Sequence, residues 1–139
     1  MLKINRRTIL RDNKWLLSRL DYIWSNYFPN IKQTNRVFIR FGRNTRFRLG
    51  SIKLDKKTNY SIVTLSGMFR NPTVPQEVID HTIAHELCHY THGFSSTRPR
   101  LHKYPHHGGV IKRELKIRGL GHLVIAYKDW VRRYRKQLE

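Results

Sequence analysis

The chain has 139 residues, 39% of them hydrophobic, which suits one compact domain with a modest core and excludes a disordered tail. No run approaches the roughly 20 apolar residues that a membrane-spanning helix needs, and Cys88 is the only cysteine, so there is no intrachain disulfide. Lys and Arg number 28 against 9 Asp and Glu, a net charge of +19 that points to a polyanionic partner, with nucleic acid favoured over an acidic membrane surface.

The charge is unevenly spread. Residues 1–50 carry 12 basic and 2 acidic side chains, residues 51–97 carry 4 of each, and residues 98–139 carry 12 and 3. The flanks are basic and the middle is neutral. Met1 to Arg11 contains arginine and no acid, as a transit peptide does, but it lacks the apolar stretch of a secretory signal and nothing nearby reads as a cleavage site. The lone cysteine suits a reducing compartment. The expected location is therefore the cytoplasm, nucleoid or nucleus rather than outside the cell.

Residues 12–28 read as a helix. Asp12 can cap it, Leu16, Leu20, Ile23 and Tyr27 recur at helical spacing, and Pro29 ends it. Residues 36–41 alternate as a strand, with Val37, Ile39 and Phe41 on one face and Arg36, Phe38 and Arg40 on the other. Phe47 to Leu54 reads as a second strand, in which Gly50 marks a bulge or a close backbone approach. After a polar turn, Tyr60 to Ser66 reads as a third. Three short strands joined by turns predict a small antiparallel sheet.

A helix is expected over about 74–92. Thr73 and Gln76 have capping-box spacing, Pro75 fits the first turn, and Gly93 offers a stop. Residues 94–106 read as a loop. A short helix is expected from His107 or Gly108 to about Arg118, and a basic terminal helix over about 122–138. The whole chain, 1–139, is expected to be a single α+β domain.

The helix at 74–92 contains His85-Glu86-Leu87-Cys88-His89. Residues four apart on a helix point the same way, about 6 Å apart along the axis, so both imidazoles can reach one zinc ion. Glu86 can then sit beside the ion without binding it, as general base toward an activated water. Such a zinc takes three protein ligands, and the third must come from downstream. His107 is preferred because it opens a second helix; His106, His102 and Glu114 are the alternatives, and His92 is too close to His89. His81, on the same face as His85, reads as a solvated helix position, and Cys88 as core. Tyr90, His92 and Tyr104 are possible oxyanion donors.

These residues resemble the active-site helix of the SprT-like and YgjP-like zinc metallopeptidases, a zincin-like group that includes Spartan. Glu77-Val78-Ile79-Asp80 precedes the motif as in that group. Arg48-Leu49-Gly50-Ser51 is similar to its Arg-aromatic-Gly-Ser strand, and His107-Gly108-x-x-Ile111 to its downstream His-Gly-x-x-Phe. The likeness spans roughly residues 36–118. Leu49 and Ile111 depart from the aromatic residues usual there, Ile52 stands where a cysteine is frequent, and loop 94–106 looks like an insertion above the site. The resemblance implies a small zincin-like fold, zinc on His85, His89 and His107, Glu86 as catalytic base and peptide-bond hydrolysis. In the Spartan branch it also implies action on DNA-associated proteins. The leading nucleic-acid patch is Trp130, Arg132, Arg133, Arg135 and Lys136, where an aromatic stands among cations. The competing expectation is a basic nucleic-acid-binding module whose zinc is structural and which hydrolyses nothing.

Overall fold

The structure, a computed structural model, describes residues 9–138; most of the leader-like segment lies outside the described residues. Helix α1 (Asn13–Tyr27) begins at Asp12, whose carboxylate accepts the Trp15 amide, and buries Leu16, Leu20 and Ile23. Strands β1 (Val37–Phe41), β2 (Gly50–Asp55) and β3 (Tyr60–Leu65) follow, then α2 (Gln76–Thr91), α3 (Val110–Ile117) and α4 (Gly121–Leu138). A 3-10 turn at Gly67–Arg70 links β3 to the approach of α2. None of the described helices is long and apolar enough to cross a membrane.

The fold is α+β, but the sheet is mixed rather than antiparallel. Its order is β1-β3-β2, with β3 antiparallel to β2 and parallel to β1. The expectation of an antiparallel sheet followed from pairing strands in sequence order. Only β2 and β3, joined by a tight turn, do so. β3 then inserts between β1 and β2, which leaves β2 as a free edge. Ile39 and Phe41 of β1, with Val63 and Leu65 of β3, form the buried face. Phe38 packs on Tyr60 on the other face, with ring centroids 5.0 Å apart.

Helix α2 is the axis of the molecule. From Val78 to Thr91 every residue except His85 is buried, because the sheet, α1, α3 and α4 all pack against it. A helix enclosed on all sides tolerates polar groups only where they are satisfied or functional. Asp80 is satisfied by a bidentate pair with Arg19 of α1, both bonds 2.9 Å. Cys88 is fully buried in the core, and burial pushes its thiol well up. The expected capping box is not formed: Pro75 is the cap residue and no side-chain bond closes the end, while Thr73 turns back to Asn71. At the other end Gly93 takes φ +83°, the left-handed stop that glycine permits.

Candidate metal centre and active site

One turn of α2 separates His85 from His89, and their Nε2 atoms lie 3.1 Å apart. His106 reaches the same point from the loop before α3, its Nε2 3.3 Å from that of His85. The ligating atoms of the three all lie within 4.8 Å of one another. Two nitrogens bound to one tetrahedral zinc at 2.0–2.1 Å are about 3.3 Å apart, which the two separations from His85 match. Imidazole donors also suit copper, nickel and iron; the trio is a candidate metal site without specifying the element.

Protonation favours the same use. Burial, followed by the neighbouring imidazoles His81 and His106, pushes His85 down to about 4. Burial, then His85 and His106, pushes His89 to about 3. Both rings are therefore neutral at pH 7, with a lone pair to give. The Nδ1 of His89 is buried without a partner, so this ring lacks the outer hydrogen bond that commonly orients a ligating histidine. Burial and edge contact with Phe94 orient it instead.

His107 does not join the trio. Its ring lies in the open near Tyr104, with centroids 6.1 Å apart. The reason is local. The helix begins at Val110, and the chain enters it through Gly108 and Gly109, both left-handed with φ +58° and +70°. That double reversal turns the first 3-10 residue, His107, outward and leaves the preceding His106 facing α2. Glu114 is committed elsewhere, bonding His92 at 3.0 Å and Arg118 at 2.9 Å. His102 packs on His92, with ring centroids 4.5 Å apart.

Glu86 projects from α2 toward β2 and is only 4% exposed. Burial pushes its carboxyl up to about 7, against the pull of Arg48. A carboxyl poised near neutrality is matched to proton transfer at neutral pH. It lines a cleft of about 510 Å³ bordered by Arg48, Gly50, His85, His106, Arg100 and Tyr127. Gly50 is the close approach anticipated for it: a Cβ there would stand 2.5 Å from Cγ2 of Thr82 and 3.7 Å from Oε2 of Glu86.

Two residues of this cleft were read differently or not at all. His81 is 7% exposed rather than solvated, and burial pushes it down to about 4. Its ring stacks on Tyr127 of α4, with centroids 4.1 Å apart and planes 15° from parallel. Tyr127 enters the cleft beside His85 and Glu86. Helical spacing reveals which side of α4 is apolar but not that the same side borders the imidazoles. The three suggested oxyanion donors lie off the cleft lining. Tyr90 is buried and bonds Asn35 at 2.7 Å, His92 is held by Glu114, and Tyr104 is exposed.

The terminal patch lies on α4, and none of its five residues lines the cleft. Trp130 packs edge-on to Phe69 and flat on Tyr134, so its ring is part of the fold's cover. Arg132 and Arg133 share Asp129 at 2.9 and 3.1 Å, whereas Arg135 and Lys136 are exposed and make no ion pair among the described residues.

No family model matches the chain, and neither a curated protein nor a solved structure matches it. What the site does must be argued from its own residues.

Proposed function

We propose that the protein is a zinc-dependent metallopeptidase in which His85, His89 and His106 hold the ion and Glu86 is the general base. One observation carries the reading. A buried carboxyl pushed up to about 7 stands beside three convergent imidazoles, at least two of them neutral, in an open cleft. A structural zinc has no use for a non-ligating carboxylate there. The SprT-like resemblance of the α2 motif supports the same chemistry. Zinc at this site supplies Lewis acidity, lowering the pKa of water toward about 7 and polarising a carbonyl.

The chain's own groups do the rest. Glu86 accepts a proton from the attacking water and delivers it to the leaving amine, so the same carboxyl serves both halves of the reaction. Tyr127, held flat against His81, lines the same cleft and offers a hydroxyl donor to the carbonyl oxygen as charge builds there. β2 is an edge strand, and its residues Gly50, Ser51 and Ile52 border the cleft. Its outer edge, which pairs with no other strand among the described residues, offers an extended peptide a strand to lie beside. That favours a peptide over an ester or a phosphodiester as substrate.

The basic flanks support substrates associated with nucleic acid, with DNA ahead of RNA. The exposed Arg135 and Lys136, which make no ion pair among the described residues, also favour a second reading, a nucleic-acid-binding module with a structural zinc. One experiment separates the two. Zinc-loaded wild type is expected to hydrolyse an unfolded or DNA-bound protein, and Glu86→Gln to lose about 10²–10⁴-fold in kcat while retaining its zinc. Hydrolysis undiminished in Glu86→Gln removes the mechanism. Salt-dependent nucleic-acid binding by a wild type that holds zinc and cleaves nothing selects the second reading.

A further inference from the structure

Beside the cleft lies a smaller hollow of about 280 Å³ between α2, α3 and α4. The two share His81, His85, His106 and Tyr127, so the hollow opens directly on two of the three convergent imidazoles. Its walls are otherwise apolar: Ile111 and Leu115 from α3, Val124 from α4, and the unsubstituted backbone of Gly109. The only charges on its lining come from Lys112 and Lys128, both exposed.

We propose that this hollow is the subsite that receives a large aliphatic or aromatic side chain of the substrate, next to the bond being cleaved. The assignment rests on the peptidase reading and names the substrate class that reading leaves open. Size argues for a side chain: whole small-molecule ligands occupy roughly 300–1,000 Å³, and the hollow falls just below that range. Position argues for a residue adjoining the scissile bond, because the hollow shares its imidazoles with the cleft. Wall chemistry argues for an apolar group, since a buried polar side chain would meet no partner along Ile111, Leu115 and Val124. The rim excludes cations. Lys112 and Lys128 both stand on this rim, two ammonium groups close to one another. A substrate Lys or Arg would add a third.

The test has a binding arm and a specificity arm. In the first, methyl NMR spectra of Glu86→Gln are recorded with N-acetyl-leucinamide and with N-acetyl-lysinamide, both with zinc and after chelation. The leucine probe is expected to shift the methyls of Ile111, Leu115 and Val124, and the lysine probe to leave them in place. In the second, wild type, Val124→Phe and Ile111→Ala cleave a mixed peptide library. Val124→Phe fills the hollow and moves the preference toward Ala and Gly. Ile111→Ala enlarges it and moves the preference toward Phe and Trp. Each shift should be about 10–200-fold, the range for a methylene in an apolar pocket. The two variants change volume in opposite directions, so loss of fold in one leaves the other decisive. Hydrolysis with neither methyl shifts nor altered preference overturns the subsite and leaves the peptidase standing. Methyl shifts with no hydrolysis by zinc-loaded wild type overturn the peptidase reading, and with it the assignment of the hollow to a substrate.

Discussion

The neighbours His106 and His107 have opposite environments, one facing His85 at 3.3 Å and the other turned to the open near Tyr104. His106→Ala should weaken zinc binding by more than about 10²-fold, beyond the loss typical of outer-shell changes. His107→Ala should leave binding nearly unchanged. Competition with a zinc chelator measures both, and the reverse order would return the third ligand to His107. Sequence order alone could not choose between them. The difference is made by two left-handed glycines, and the α-helix they lead into begins at Val110 rather than at His107 or Gly108. That the His85 and His89 rings converge was legible because i,i+4 spacing on a helix leaves little freedom. The depressed histidines also fix a pH response. His81, His85 and His89 bind protons more readily unfolded than folded, so their contribution to stability is complete above about 6.5 and is lost as pH falls toward about 4 and 3. Metal-free protein should therefore lose thermal stability on acidification through that window. A triple variant at these positions should lose much less.

Among the elements, the contact of β2 with α2 sets the geometry of the cleft. Gly50 lets the edge strand approach Thr82, whose hydroxyl donates back to the Val78 carbonyl at 2.8 Å. Gly50→Ala should cost about 1–3 kcal/mol through overpacking and displace β2 from Glu86. Adding Thr82→Ser removes the methyl that is struck while keeping the hydroxyl, and should recover most of that loss in denaturant titrations. Failure of the second change to help would mean that the strand is held off by something else. Gly50 was readable as a close approach because glycine inside a strand pattern has few other uses. Strand order was not: alternation assigns faces, yet it carries no information about which neighbour a strand takes. Nor could alternation or helical period show that His81 is enclosed, since the residue that covers it, Tyr127, lies 46 positions further along the chain.

For the whole molecule, the division of charge seen in the sequence matches a division of labour in the fold. The neutral middle supplies β3, most of β2 and the enclosed α2, while basic α3 and α4 pack along α2 and carry the exposed Lys112, Lys128, Arg135 and Lys136. Among the described residues, the deepest helix makes its ion pair with α1, between Asp80 and Arg19. The imidazole trio straddles this division. His85 and His89 belong to the most enclosed helix, whereas His106 stands exposed on a connection between helices.

That asymmetry bears on how fast a bound ion could come and go. Two of its anchors would be released only when the core opens, an event as slow as global unfolding, but the third rides on a turn whose excursions belong to the nanosecond-to-microsecond range of loops. Release would then pass through a two-coordinate state reached without unfolding. A chelator should strip the ion orders of magnitude faster than the fold dissolves in denaturant, with hydrogen exchange accelerated at 102–109 and unchanged along α2. Equal rates for release and unfolding would mean that the turn is as fixed as the helix it faces.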